Sequence, residues 1–87
     1  MKERDVVIGH RLGLHARASA KLVQLAAKFQ CNIVLLRRDA NNSVEADARS
    51  ILSILLLSAG FGSKLSVRAE GVDEDQAIEN ICEYLAG

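Results

Sequence analysis

A histidine stands directly before a predicted helix whose first turn carries no acidic residue, in the segment Gly13-Leu14-His15-Ala16-Arg17. Most helices neutralise their unpaired N–H groups with Ser, Thr, Asp or Asn at the cap and with acids in the first turn. This helix offers Ala16, Arg17 and Ala18 instead, so its backbone N–H groups and the Arg17 guanidinium can bind an arriving oxyanion. A neutral imidazole at His15 is then a candidate to accept and release a phosphoryl group.

The charge distribution supports an anion site near His15. No carboxylate occurs between Asp5 and Asp39, whereas that interval contains the basic residues Arg11, Arg17, Lys21, Lys28, Arg37 and Arg38. From position 69 onward the sign reverses, with acidic residues and no Lys or Arg. Charge runs are usually solvated faces, so only the coincidence with His15 favours a site.

Length and composition exclude several classes of function. We expect one domain over residues 1–87. Because aromatic residues make up only 3% of the chain, platforms for stacking bases are nearly absent, and we expect no nucleic-acid partner. The charged N-terminus and the lack of any apolar run of membrane-spanning length predict a cytoplasmic protein with no membrane insertion.

The cysteines and histidines form no recurrent metal-ligand pattern. Cys31 and Cys82 stand apart without a C-x-x-C motif, and we interpret both as small core residues. A zinc site formed by them with His10 and His15 matches no known spacing, so we expect no metal and no cofactor. His10 lies at a loop end without a helix behind it, and we interpret it as an exposed bystander.

The hydrophobic pattern predicts an α+β fold. Strands are predicted over 3–9, 32–38, 43–47 and 64–70, and helices over 16–29 and 73–85, with a turn at 39–42 between the middle strands. Leu65, Val67 and Ala69 alternate with outward-facing polar residues, Ser66 among them. We therefore expect a two-layer open-faced sandwich, in which a four-stranded antiparallel sheet is covered on one side by three helices in βαββαβα order.

The third predicted helix comes from residues 50–57, which are apolar on nearly every side. This segment is either a buried strand or a short helix that leaves a spare apolar face, formed by Leu52 and Leu55, as a docking surface. We favour the helix because Ser50 is a good N-cap and two glycines follow the segment.

Three ordered segments carry a resemblance to a known family. Gly13-Leu14-His15-Ala16-Arg17 looks like an active-site motif, Arg49-Ser50-Ile51-Leu52 like a regulatory serine segment, and Ala69-Glu70-Gly71-Val72-Asp73-Glu74 like the turn into a last helix. Over its whole length the chain resembles the HPr family, the histidine-containing phosphocarriers of the bacterial phosphotransferase system.

The resemblance implies a function and its partners. His15 would take a phosphoryl group from Enzyme I and pass it to EIIA-type domains, while Arg17 and the backbone of Ala16, Arg17 and Ala18 would hold the oxygens. Such a carrier is not itself an enzyme, and we expect a monomer.

The same resemblance makes Ser50 a regulatory phosphorylation site for an HPr kinase/phosphatase. We place partner docking at Ala20, Ile51, Leu52 and Leu55.

The sequence departs from the family pattern at two places. Position 18 is usually proline in the motif and is Ala18 here, and extra residues around 37–43 lengthen the hairpin away from the site.

Two alternative functions stay open. One alternative is a purely regulatory HPr-like protein that acts through Ser50 phosphorylation alone. The other is an unrelated metal-binding or nucleic-acid-binding α+β module.

Overall fold

Four antiparallel strands form a single sheet in the computed structural model, which describes residues Met1–Gly87. In chain order the elements are β1 (Lys2–Val7), α1 (Ala16–Ala26), β2 (Asn32–Asp39), β3 (Asn42–Asp47), α2 (Ile51–Leu56), β4 (Lys64–Glu70) and α3 (Glu74–Ala86). The strand order across the sheet is β1-β4-β2-β3, and every neighbouring pair is antiparallel.

One face of the sheet packs against the helices. Alternation along β4 buries Leu65, Val67 and Ala69 completely, and β2 buries Ile33 and Leu35 on the same side. Together with apolar residues of the three helices, of β3 and of the connecting loops, they form one cluster of 21 buried residues. The predicted open-faced α+β sandwich is therefore confirmed, and its stability comes from apolar surface removed from water between two layers.

The opposite face of the sheet carries charged residues that cover one small polar side chain. Ser66 lies on this outward face, as predicted, yet it is only 5% exposed. Its hydroxyl donates to Asp5 Oδ1 at 2.6 Å and accepts from Arg38 Nη1 at 3.4 Å. These neighbours cover Ser66, and the hydrogen bond that it donates lowers the pKa of Asp5.

Several predicted boundaries needed correction. The first strand ends at Val7 rather than Gly9. The first helix ends at Ala26, before the predicted Phe29. Past Ala26 the backbone forms tighter turns, in which the N–H groups of Lys28 and Phe29 donate to carbonyl oxygens three residues earlier, each at 3.1 Å. Arg49 Nη2 binds the segment that follows, donating to the carbonyl oxygens of Phe29 at 2.7 Å and Cys31 at 2.9 Å. A cation placed there also opposes the negative end of the α1 dipole.

The hairpin and the middle helix follow the predictions. Asp39 pairs with Asn42, so the turn between β2 and β3 has two central residues. Residues 51–56 form a helix rather than a strand, and Ser50 is its N-cap, with its hydroxyl accepting from the Ser53 N–H at 3.3 Å.

Asp73 precedes α3 but binds a different part of the chain. Its carboxylate accepts from the N–H groups of Gln30 at 2.9 Å and Cys31 at 3.0 Å, in the connection between α1 and β2. The hydrogen bond from Gln30 is the main cause of a lowered Asp73 pKa. Asp73 therefore fastens the start of α3 to the end of the α1 segment.

We expect Asp73→Asn to remove part of the acid sensitivity of the fold. The folded-state pKa of Asp73 lies below its unfolded value, so its stabilisation is present above about pH 4 and is lost as the pH falls through the folded pKa. Urea denaturation at neutral and acidic pH should show a lower free energy of unfolding for the variant at neutral pH and convergence with the unmodified protein in acid.

The matched control for this prediction is Asp75→Asn. Asp75 lies in the first turn of the same helix but makes only an exposed ion pair with Lys2, at 3.4 Å, which contributes little. Equal pH profiles for the two variants would contradict the role assigned to Asp73.

Candidate functional site

His15 occupies the N-cap position of α1 in extended backbone geometry, with φ −72° and ψ 179°, and no side chain caps the helix. The first turn contains no acidic residue. The His15 carbonyl accepts the Ser19 N–H at 2.8 Å, so the N–H groups of Ala16, Arg17 and Ala18 have no partner within the helix. Three backbone N–H donors without a helical partner therefore follow directly after His15.

Arg17 is the nearest guanidinium to these N–H groups in sequence. It is exposed, and none of the ion pairs in the chain involves it. Lys21, one helical turn further along, is also exposed and outside every ion pair. Both cations are available to an external anion because no carboxylate of the chain neutralises them.

Two shallow grooves flank His15, which is itself half-buried. One is lined by Leu12, Leu14, His15, Ser58, Ala59 and Gly60, and the other by His10, His15, Arg17, Ala18, Lys21 and Tyr84. Neither lining includes a carboxylate. An oxyanion at His15 would therefore meet cationic and N–H donors without repulsion from an acid.

Ser19 fixes the residue before His15. Its side chain is fully buried, and its hydroxyl donates to the Leu14 carbonyl at 3.1 Å. The Ser19 N–H also donates to the His15 carbonyl oxygen. Ser19 therefore binds two consecutive carbonyl groups and attaches the end of the loop to α1.

Gly13 allows the same loop to pack closely against the connection between α2 and β4. Its φ of +69° is in the left-handed region, and a Cβ here would lie 2.7 Å from the Ala59 carbonyl oxygen and 2.8 Å from Gly60 Cα. The neighbouring Leu14 N–H donates to that Ala59 oxygen at 2.9 Å. Only glycine fits this close backbone approach.

Arg37 hydrogen-bonds to the connection between α2 and β4, a role that was not predicted from the sequence. Its Nη1 donates to the Leu57 carbonyl oxygen and, at 3.3 Å, to that of Ser58. Ser58 lines a groove beside His15 and has a left-handed φ of 52°. The hairpin was predicted to extend away from the site, but Arg37 at its β2 end binds a residue that lines a groove beside His15.

An exposed apolar surface lies on α2, and we call Ile51, Leu52, Leu55 and Leu56 the α2 patch. Each of the four is exposed, and Leu52 is 68% exposed. The first three are predicted docking residues. Leu56 was not predicted, although it belongs to the same apolar run. The predicted docking residue Ala20 lies half-buried on α1, which packs against α2.

His10 is not the exposed bystander that the sequence suggested. It is half-buried, its Nε2 lies 2.7 Å from the Tyr84 carbonyl oxygen, and the two rings are 4.9 Å apart. The prediction was wrong because Tyr84 is 74 positions away in the sequence, and only folding brings it to the loop.

The buried thiols and the acids offer no alternative centre. Cys31 and Cys82 are free and buried, as predicted, and burial raises the pKa of both. No group of three or more His, Cys, Asp or Glu side chains is arranged to hold a metal ion. None of the helices has the length and apolar character needed to cross a membrane.

Residues 2–87 match the family model described as the PTS HPr component phosphorylation site. The chain belongs to the HPr family of phosphocarriers. It is 41% identical over 86 residues to phosphocarrier protein HPr of Cupriavidus necator, covering 99% of this chain and 92% of the relative. It is 39% identical over 80 residues to phosphocarrier protein NPr of Shewanella violacea, covering 92% and 84%.

Solved HPr structures share the fold. The crystal structure of HPr from Bacillus anthracis superposes with a TM-score of 0.83 at 31% identity, covering 97% of this chain and 95% of that one. Family membership confirms the sequence-based expectation of an HPr-type phosphocarrier. The individual roles of His15, Arg17 and Ser50 stay predictions.

Ala18 changes the HPr motif without disturbing the helix, which still begins at Ala16. Proline at this position would have no N–H group. With alanine, the first turn has one more backbone N–H group without a helical partner.

We expect Gly13→Ala to destabilise the loop that carries His15. Both the positive φ and the contact with the 59–60 backbone oppose a Cβ, so the free energy of unfolding should fall by about 2–4 kcal/mol. Gly62→Ala is the control, since Gly62 also has a positive φ, +85°, but no atom near its Cβ position. A loss no larger in Gly13→Ala than in Gly62→Ala would show that the close approach is unimportant.

Proposed function

We propose that His15 is the phosphoryl acceptor of this HPr-family protein. The observation that carries the proposal is the uncapped first turn of α1, which follows His15 directly, together with a groove beside His15 that Arg17 lines and no carboxylate lines. Phosphoryl transfer passes through a loose transition state, so positioning and charge stabilisation supply most of the catalysis. A site made of a nucleophilic imidazole and oxyanion donors meets these requirements.

The transfer itself is a nucleophilic substitution at phosphorus. A lone pair on a ring nitrogen of His15 forms the new N–P bond while the N–P bond to the phosphohistidine of Enzyme I breaks, returning its electron pair to that ring. Arg17 and the N–H groups of Ala16, Arg17 and Ala18 hold the three phosphoryl oxygens, where charge is concentrated. In a second substitution of the same kind, an acceptor group of an EIIA-type domain forms a bond to phosphorus while the His15 N–P bond breaks and returns its electron pair to the His15 ring.

Enzyme I and EIIA-type domains are the proposed partners, and both dock on the α2 patch and Ala20. Exposed apolar side chains of this extent mark protein interaction surfaces. The protein acts as a carrier in the cytoplasm rather than as an enzyme, because its phosphohistidine is formed and consumed in the active sites that it assembles with its partners. We propose that it works as a monomer.

Ser50 is the proposed regulatory site, a substrate for an HPr kinase/phosphatase. It is half-buried at the N-cap of α2, directly before the α2 patch. A phosphate there would bring roughly two negative charges to an apolar docking surface and weaken partner binding. A second candidate function, regulation through Ser50 alone, rests on this same location.

We predict that the protein gains one acid-labile phosphoryl group when mixed with Enzyme I and phosphoenolpyruvate, and that His15→Ala gains none. Intact-mass spectrometry at neutral pH measures both. His10→Gln is the control that removes the other imidazole and should still be phosphorylated. No gain by the unmodified protein with its cognate Enzyme I would contradict the carrier function and leave regulation through Ser50 as the better account.

We also predict that Leu52→Glu raises the KM for phosphoryl transfer from Enzyme I about tenfold or more, with little loss of stability, because the side chain is 68% exposed. Stopped-flow transfer kinetics over a range of Enzyme I concentrations measures KM. Val72→Glu is the matched control, an apolar residue 87% exposed in the turn before α3. Equal effects of the two substitutions would argue against docking on α2.

A further inference from the structure

His10 and Tyr84 make contacts beside His15 that the mechanism above leaves unused. The His10 Nε2 lies 2.7 Å from the Tyr84 carbonyl oxygen. A carbonyl oxygen only accepts, so this ring nitrogen carries the hydrogen and donates it. The imidazole also packs against the Tyr84 ring, with 4.9 Å between ring centroids. The loop before His15 is thereby attached to the last turn of α3.

The Tyr84 hydroxyl binds the chain on the C-terminal side of His15. The Tyr84 Oη–H donates to the Ala18 carbonyl oxygen at 3.0 Å, and Ala18 lies in the first turn of α1. Burial raises the pKa of Tyr84, so the phenol stays a donor at neutral pH. One side chain thus connects α3 to the uncapped turn that follows His15.

The backbone reinforces this attachment. The Gly9 N–H donates to the Leu85 carbonyl oxygen at 2.9 Å. A Cβ on Gly9 would lie 1.8 Å from the Ala86 carbonyl oxygen, so the loop lies directly on the end of α3. The final turn of the chain therefore contacts both the segment that precedes His15 and the helical turn that follows it.

We propose that His10 and Tyr84 are positioning residues for phosphoryl transfer at His15. They join both the loop before His15 and the first turn of α1 to the end of α3. In this way they fix the position of the imidazole relative to the N–H donors. This inference rests on the proposed function. Phosphoryl transfer is sensitive to small displacements of the nucleophile from its donors, so losing these hydrogen bonds should slow the chemical step rather than partner binding.

Tyr84→Phe keeps the ring and its packing but removes the bond to Ala18. With phosphorylated Enzyme I as the donor, we expect the transfer rate at saturating Enzyme I to fall about three- to tenfold, as for the loss of one positioning hydrogen bond. The KM should not change, because the α2 patch is intact. His10→Leu should behave similarly, whereas His10→Gln, whose amide can donate to the Tyr84 carbonyl, should restore most of the rate.

Gln76→Ala serves as the matched control. Gln76 makes an exposed hydrogen bond with Asn80 at 3.5 Å on the same helix, so its loss should leave the transfer rate unchanged. The free energy of unfolding of each variant separates lost stability from lost positioning.

A wild-type rate for Tyr84→Phe, or no rescue by His10→Gln, would overturn the positioning role while His15 phosphorylation of the unmodified protein stands. Absence of His15 phosphorylation in the unmodified protein would instead overturn the proposed function itself.

Discussion

The N-terminal turn of α1 is a set of backbone donors without partners, and much of the structure maintains it. A side-chain cap or an acid in this turn would satisfy the N–H groups and stabilise the helix by about 1 kcal/mol. The chain has His15 and Ala16-Arg17-Ala18 there instead. The donors are therefore left to solvent or to an arriving anion. We regard this uncompensated turn as the constraint that sets the fold around His15.

Three supports hold the uncompensated turn in place. Ser19 binds the Leu14 carbonyl from within α1, Gly13 packs against the backbone that follows α2, and Tyr84 reaches Ala18 from α3. The Ser19 contact is local, but the other two join the turn to segments distant in the sequence, so the helix end depends on the packed core as well as on its own residues. None of the three supports uses a polar side-chain atom of His15 or Arg17, which leaves those atoms available to an external anion.

Sequence patterns predicted the elements whose signal is local. β4 was predictable because Leu65, Val67 and Ala69 alternate with polar residues, and the start of α2 because Ser50 is a good cap. The end of α1 was not, since Arg49, which binds the Phe29 carbonyl just past that end, lies 20 positions away in the sequence. The same limit explains His10, whose partner Tyr84 is supplied only by tertiary packing. For the candidate site, the motif indicated His15 and Arg17, but it could not indicate the contacts that Tyr84, Arg37 and the 59–60 backbone make with the surrounding loops, because these residues are distant in sequence.

Nuclear magnetic resonance of the phosphorylated protein tests the central claim most directly. We predict that phosphorylation of His15 moves the amide proton resonances of Ala16, Arg17 and Ala18 downfield and slows their exchange with water, because these N–H groups become donors to the phosphoryl oxygens. Amides on the opposite side of the fold, such as those of β3, should be unchanged. Unshifted, freely exchanging amides at 16–18 beside a phosphorylated His15 would contradict the account, since the helix end would then play no part in holding the group.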